Sequence, residues 1–137
     1  MRIKVLADVI NLDKVIGRIR DYLLGIGADE DVVGRVEIAV EELFVNVCSY
    51  SYNGEEGNVM IEAFSDEDEG CLYIRFTDSG VEFNPFAEND IDVDAKAVDD
   101  SIGGLGIYMV KNMMDETRYE RTNDQNVVVL KKNFCVK

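Results

Sequence analysis

A glycine-rich stretch is the first part of this sequence with the means to bind a ligand. Gly103, Gly104 and Gly106 lead into an amphipathic segment that carries Ile107 and Val110 at helical spacing. The first N–H groups of a helix have no partner within it, and the helix dipole adds about half a positive charge there. Glycine also lets the backbone approach a ligand closely, so this junction suits a phosphate group. The alternative is that the glycines are ordinary loop residues.

A carboxylate and an amide, Glu42 and Asn46, lie one turn apart on a predicted helix. The residues around them, Ile38, Ala39 and Val45, are apolar, and so is the opposite face, which predicts a helix buried on both sides. Polar groups that are buried without partners cost several kcal/mol. The two side chains therefore form either a satisfied structural pair or the floor of a pocket, with a base and a metal ligand.

A third candidate stands at the end of a predicted strand. Leu72, Ile74 and Phe76 alternate with more polar residues, which is typical of a half-buried antiparallel strand. The strand ends at Asp78, and Gly80 follows two residues later. This spacing places a carboxylate at the lip of the sheet, beside a glycine that allows a ligand to approach.

These residues need a scaffold, and the hydrophobic pattern predicts one domain over residues 1–137. The predicted elements are a strand over 3–7, a helix that starts at 11–13 and runs to 26, and a helix over 29–50 with Asp29 as its cap. Strands over 59–64 and 72–77, the glycine-headed helix, and strands over 117–121 and 127–134 with a turn at 122–126 follow. Antiparallel hairpins with helices on one sheet face predict an α+β two-layer sandwich. The long acidic segment beside the glycines predicts a lid, around residues 86–102.

The amino-acid composition argues against several classes of protein. A chain of 137 residues with 47% hydrophobic and 31% charged residues is typical of one globular domain. No apolar run approaches the roughly 20 residues of a membrane span, and no export signal is visible, so we expect a cytoplasmic protein without membrane association. The net charge of −14 argues against direct contact with nucleic acid. The absence of histidine and of paired cysteines argues against structural zinc.

With its three stretches in this order and spacing, the chain resembles the GHKL ATP-binding superfamily, and most of all its anti-sigma factor serine/threonine kinase branch. Glu42-Leu-Phe-Val-Asn46 matches the first box of the family, and Asp78-Ser-Gly-Val-Glu-Phe83-Asn-Pro85 matches the second. The stretch from Gly103 to Asp115 matches the third. The resemblance covers nearly the whole chain. It implies a histidine-kinase-like ATPase domain of the Bergerat type, with ATP and Mg²⁺ as cofactors.

The resemblance also implies roles for individual residues. Glu42 would be the general base, and Asn46 would hold the Mg²⁺ that bridges the ATP phosphates, in keeping with the preference of this ion for oxygen ligands. Asp78 would accept a hydrogen bond from the exocyclic amine of adenine, with Gly80 allowing the base to approach. The remaining expected nucleotide-binding positions are Phe83, Gly103, Gly104, Leu105, Gly106 and Ile107.

Three positions depart from the family pattern. Tyr50 stands where a histidine is common, shortly before Tyr52, where the family often has a tyrosine. Glu82 stands where the wider superfamily has a second glycine. On the last strand Val129 takes the place of a threonine that often supports the adenine. We expect this last change to weaken the affinity for nucleotide.

The resemblance implies an ATP-dependent protein serine/threonine kinase that regulates transcription. It would sequester a sigma factor, phosphorylate an anti-anti-sigma protein, and form a homodimer. Sensor histidine kinases usually carry an asparagine at the position of Glu42, and they need a phospho-accepting histidine that this chain lacks. The alternative function is a non-catalytic ATP-gated protein-binding module of the same fold. A domain that no longer binds nucleotide is the third possibility.

Overall fold

Five antiparallel strands form one sheet in the described part of the chain, and three α-helices accompany it. The computed structural model describes residues 1–87 and 104–135. The elements, in chain order, are β1 (Arg2–Leu6), a 3-10 helix (Val9–Asn11), α1 (Leu12–Gly25), α2 (Glu30–Tyr50), β2 (Asn58–Asp66), β3 (Cys71–Asp78), α3 (Gly104–Met113), β4 (Glu116–Thr122) and β5 (Gln125–Asn133). The strand order is β1-β2-β3-β5-β4, and all neighbours are antiparallel. The predicted α+β fold is confirmed.

The core lies between the sheet and the helices. Every second residue of β3 is buried, from Leu72 to Asp78, because successive side chains of a strand point to opposite faces. Phe44 of α2 and Phe76 of β3 are the largest fully buried side chains. Helix α2 begins where the side chain of Asp29 accepts a hydrogen bond from the N–H of Val32 at 2.9 Å, as an N-cap residue should.

Helix α3 is held against α2 by its apolar side. Its buried residues Ile107 and Val110, and Met114 just after its end, belong to the single core cluster. The β4–β5 hairpin turns at Asn123 and Asp124, which have φ angles of +52° and +59°. This two-residue turn is shorter than the predicted turn over 122–126, because both central residues adopt the left-handed conformation that such hairpins require. Asn126 therefore belongs to a strand.

Most of the predicted lid around 86–102, and Gly103, lie outside the described residues. At its start Phe86 is buried, and the ammonium of Lys111 lies 5.9 Å from the centroid of its ring. Within residues 1–87 and 104–135, no helix combines the length and the apolar character that a membrane span needs.

Candidate functional site

Glu42 and Asn46 lie on the same half-buried face of α2, as their spacing predicted. They line a cavity of about 210 Å³ together with Ile107 of α3; the other lining residues are Val45, Ser49 and Tyr50. The expectation that this face would be fully buried is wrong, since Ile38 and Val45 remain 36% and 37% exposed. The reason is that α3 covers only part of the face and leaves a cleft beside it.

The side chains of Glu42 and Asn46 form no hydrogen bond with any residue in the ranges 1–87 and 104–135. A structural pair would need such partners to offset the cost of its burial. Within these ranges the two side chains therefore line a cavity without forming a hydrogen-bonded pair of their own. What they bind stays a prediction.

The first turn of α3 lies directly over the carboxylate of Glu42. A Cβ atom added to Gly106 would overlap Oε2 of Glu42, so only glycine fits there without moving the carboxylate. Helix α3 begins at Gly104, with Leu105 as its second residue, so the glycine-rich stretch does open a helix as predicted. Gly103 lies outside the described residues. The N-terminal end of α3 thus faces the cavity that Glu42 and Ile107 line.

Burial raises the pKa of Glu42 above its ordinary value of 4.5, and the nearby charge of Glu41 raises it further. Both effects disfavour the charged form of the carboxylate. A carboxylate with a raised pKa is a better proton acceptor, which suits general base chemistry near neutral pH.

Asp78 is only 5% exposed. Hydrogen bonds to one of its two carboxylate oxygens fix the orientation of the side chain. Its Oδ1 accepts hydrogen bonds from the N–H of Gly80 at 2.9 Å and from Nδ2 of Asn126 at 3.0 Å. Asn126 lies directly opposite Asp78 in the pairing of β3 with β5. Since Oδ1 is saturated by these two donors, Oδ2 is the oxygen that is left for a ligand.

Asn126 is 2% exposed and connects three parts of the structure. Its Nδ2 also donates to the carbonyl of Val81 at 2.7 Å. Its Oδ1 accepts from the N–H of Phe83 at 3.1 Å, the hydroxyl of Tyr119 at 2.6 Å and the guanidinium of Arg121 at 3.3 Å. Asn126 therefore fixes both the loop after Asp78 and the edge strand β4, a role that the sequence analysis missed. The one sign of this role in the sequence is that Asn126, a polar residue, directly precedes the apolar residues of the last predicted strand.

Val129 does not share a sheet face with Asp78, the residue expected at the adenine. Val129 pairs with Arg75 on β3 and with Arg118 on β4, and its side chain lies on the sheet face that points away from the helices. The register set by the short β4–β5 turn decides this, because side chains alternate between the two faces. The residue of β5 that faces Asp78 is Asn126.

Gly80 permits a close approach between two parts of the backbone. A Cβ atom at Gly80 would overlap the carbonyl of Ser51, at the end of α2. The N–H of Val81 donates to that carbonyl at 2.7 Å, and Arg121 donates to the carbonyl of Gly80 at 2.9 Å. In this structure the glycine is thus required by protein packing, and its role toward a base stays a prediction.

Tyr50, which departs from the family pattern, and the nearby Tyr52 both have structural partners. The ring of Tyr50 stacks on Phe83, with centroids 5.3 Å apart, at the edge of the cavity that Tyr50 lines. The hydroxyl of Tyr52 donates to the carbonyl of Asn58 and accepts from the N–H of Ser79 at 2.9 Å. The first contact brings Phe83, an expected nucleotide-binding residue, next to the Glu42 face of α2.

The described residues contain no group of three or more His, Cys, Asp or Glu side chains arranged to hold a metal ion. A protein-only metal site is therefore not formed by residues 1–87 and 104–135. Asn46 lines the cavity, and an amide oxygen is a ligand type that suits a Mg²⁺ ion whose other ligands are phosphate oxygens and water.

Comparison with known proteins places these features in context. The family model described as the histidine kinase-like ATPase domain matches residues 5–132. The serine-protein kinase RsbW of Listeria monocytogenes is 28% identical over 112 residues, which cover 77% of this chain and 69% of that protein. The serine-protein kinase RsbW of Listeria innocua is 27% identical with the same coverage.

Two solved structures share the fold. The first contains the RsbU and RsbW domains of a Mycobacterium tuberculosis protein, and it superposes with a TM-score of 0.65 at 16% identity over 98% of this chain. This chain spans only 32% of that longer one. The second is the histidine kinase domain of the blue-light activated kinase EL346 from Erythrobacter litoralis, with a TM-score of 0.58 at 17% identity over 90% of this chain.

Proposed function

Because the chain belongs to the histidine kinase-like ATPase domain family, we propose that it is an ATP- and Mg²⁺-dependent protein serine/threonine kinase that acts as an anti-sigma factor. One observation carries the proposal. Glu42 and Asn46 line a cavity beneath the start of α3, and no described residue satisfies their side chains. The names of the similar Listeria proteins, which are serine-protein kinases, support the same activity.

Each residue has a role that its surroundings support. Oδ2 of Asp78 would accept a hydrogen bond from the exocyclic amine of adenine, while Asn126 and Gly80 hold Oδ1. The N-terminal turn of α3, with Gly106, would face the phosphates. Asn46 would supply one oxygen to Mg²⁺, which neutralises charge on the phosphates when bound.

Glu42 would act on the protein substrate. Its carboxylate would take the proton of a serine or threonine hydroxyl as that oxygen attacks the γ-phosphorus, and ADP would leave. The raised pKa of Glu42 supports this role, since burial makes the carboxylate a stronger base. Little other chemistry is needed from the protein, because phosphoryl transfer depends mainly on positioning and charge stabilisation.

The partners follow from the same proposal. The protein phosphorylated would be an anti-anti-sigma factor, and the protein sequestered would be a sigma factor. The net charge of −14 supports binding to a basic protein and disfavours direct binding to nucleic acid. We place the protein in the cytoplasm as a homodimer, without membrane association.

One observation favours a second function, an ATP-gated binding module without transfer. Gly106 of α3 lies against the carboxylate of Glu42. Glu42 would lose this packing contact if α3 moved. In such a module Glu42 and Asn46 would only order the nucleotide, and movement of α3 would regulate a partner.

The decisive experiment compares Glu42→Gln with Glu55→Gln, the same change at an exposed loop position. Each protein is incubated with γ-labelled ATP, Mg²⁺ and a panel of purified candidate anti-anti-sigma proteins. We expect Glu42→Gln to lower label transfer to serine at least ~100-fold, since general base catalysis contributes that much. Glu55→Gln should keep most of the activity.

ATP binding is measured in parallel, as the Mg²⁺-dependent rise in melting temperature that a ligand of the native state produces. Glu42→Gln should keep this rise. Loss of the rise would mean that Glu42 is structural and would contradict its role as the base. ATP-dependent complex formation without transfer by the unmodified protein would support the binding module.

A further inference from the structure

Three apolar side chains remain partly exposed around the position of Glu42. Ile38 lies one turn before Glu42 on α2 and is 36% exposed, and Val45, about one turn after it, is 37% exposed. Met109 of α3 is also 36% exposed. We call these three residues the apolar rim. Apolar side chains that cluster on a surface often mark a binding site, whereas single scattered ones do not.

Two contacts show that α2 and α3 run antiparallel where they pack together. Nη1 of Arg35 on α2 lies 4.0 Å from the sulfur of Met113, at the end of α3. Seven residues further along α2, the carboxylate of Glu42 lies against Gly106, which is seven residues earlier on α3. The residues midway between these two contacts therefore lie at one level of the helix pair.

At that level the helix pair has a buried side and an exposed side. Ala39 and Val110 are fully buried, whereas their chain neighbours Ile38 and Met109 are the partly exposed residues of the rim. Ile38 and Met109 thus lie at the surface of the same part of the helix pair. They are about one helical turn, or roughly 6 Å, from the level of Glu42.

We propose that the apolar rim binds the segment of the protein substrate that carries the acceptor serine or threonine, an inference that rests on the proposed kinase function. The acceptor oxygen must come within about 3 Å of the Glu42 carboxylate to give up its proton there. Glu42 lies between Ile38 and Val45 on α2. The chain on either side of the acceptor therefore has to lie across the rim, and apolar side chains of that chain would cover it.

The spacing of the rim indicates which residue of the substrate it contacts. An extended segment rises about 3.3 Å per residue, and alternate side chains point to the same side. A side chain two positions from the acceptor therefore faces the same surface as the acceptor and lies roughly 6 to 7 Å away along the segment. This matches the distance of one helical turn from Glu42 to Ile38. The rim thus selects substrates with an apolar residue two positions from the phosphorylated one.

The double variant I38Q/M109Q tests the proposal, because glutamine is a good helix former that removes the apolar surface. The control is I10Q/L24Q, the same change at two exposed apolar positions of other elements. Label transfer from ATP to the candidate anti-anti-sigma protein that accepts it fastest gives kcat and the KM for the protein substrate. We expect I38Q/M109Q to raise this KM at least ~5-fold and to change kcat less than ~2-fold, since loss of uniform binding raises KM alone. The control should change KM less than ~2-fold.

Mass spectrometry of the labelled substrate should find an apolar residue two positions before or after the acceptor. Its absence, an unchanged KM in I38Q/M109Q, or an equal rise of KM in both double variants would overturn the role of the rim and leave the kinase function standing. Loss of the ATP-dependent rise in melting temperature in I38Q/M109Q would assign the rim to the nucleotide instead. A lower molar mass of this variant in analytical ultracentrifugation would assign the rim to a second copy of the chain, and either result would overturn the proposal.

The unmodified protein separates this proposal from the kinase function. Failure to transfer label to any of the candidate anti-anti-sigma proteins would contradict the kinase function itself and would overturn the role of the rim with it. Transfer by the unmodified protein together with a normal KM in I38Q/M109Q would contradict the role of the rim alone.

Discussion

The carboxylate of Glu42 is the side chain whose surroundings change its chemistry most directly. It lies on a helix face that is only partly covered, beneath the first turn of α3. Burial and the neighbouring Glu41 both disfavour its charged form, and no described residue donates a hydrogen bond to it. Ionisation of a carboxylate in such surroundings destabilises the native state. Residues whose pKa is shifted in this way are common at functional sites.

The pH dependence of stability should show this effect. Because the pKa of Glu42 is raised in the folded chain, the native state holds this proton to higher pH than the unfolded chain does. The contribution of Glu42 to stability is therefore full below the unfolded value of 4.5 and is lost as the pH rises through the folded pKa. Urea unfolding at intervals from about pH 4 to about pH 7 should show Glu42→Gln gaining stability relative to the unmodified protein.

The control for this measurement is Glu55→Gln, at an exposed loop position, which should not reproduce the trend. A difference between Glu42→Gln and the unmodified protein that stays constant with pH would contradict the raised pKa of Glu42.

At the scale of elements, the packing of α3 on α2 controls where the Glu42 carboxylate sits. Gly106 occupies the contact point, and the atoms that an added Cβ would meet belong to the end of the flexible Glu42 side chain. The carboxylate can therefore move aside without separating the two helices.

Gly106→Ala should change the free energy of unfolding by less than ~1 kcal/mol, because the gain in helix propensity offsets part of the contact. Label transfer should fall at least ~10-fold, since even small misplacement of a catalytic group is costly. The matched control is Gly34→Ala, in an open position on α2, which should keep transfer and be up to ~1 kcal/mol more stable. Unchanged transfer in Gly106→Ala would show that the position of Glu42 does not matter.

The elements themselves were largely predictable from hydrophobic spacing. The predicted helix over 29–50 is observed as Glu30–Tyr50, and the strand predicted over 72–77 is observed as Cys71–Asp78. The spacing of apolar residues is a local property of the sequence, so it predicts helices and strands without any knowledge of tertiary contacts.

The supporting contacts of the site were not predictable in the same way. Asn126 sits among turn-forming residues, and only the two-residue turn at Asn123 and Asp124 places it in a strand opposite Asp78. The contact of Gly80 with Ser51 joins positions far apart in the chain. Such contacts depend on register and on tertiary packing, which no local pattern encodes.

At the scale of the whole molecule, the dominant feature is a net charge of −14. The salt bridges among the described residues all have at least one partly exposed side chain, for example Arg2–Glu62 and Arg20–Glu37. Exposed pairs contribute little each, whereas the excess of acidic residues repels itself in the compact state.

Salt should therefore stabilise this protein. Raising NaCl from about 0.01 M to about 0.3 M shortens the Debye length from about 30 Å to below 10 Å, which screens the repulsion. We expect the melting temperature to rise by a few degrees, as measured by circular dichroism without nucleotide. The double variant E55Q/E56Q, which carries two fewer charges, should show a smaller rise. A melting temperature that falls with salt would mean that attractive ion pairs outweigh the repulsion.

The hydrogen bonds of Asn126 have a consequence for how this chain tolerates mutation over generations. A substitution at Asn126 removes one of the two donors to Asp78 and, in the same step, the side-chain acceptor of the Tyr119 hydroxyl and of one Arg121 hydrogen bond. The three strands β3, β4 and β5 are therefore energetically coupled at this end of the sheet. Substitutions at Asp78, Tyr119 and Asn126 should not have additive effects on stability, so a change at one of these positions alters which residues the others tolerate.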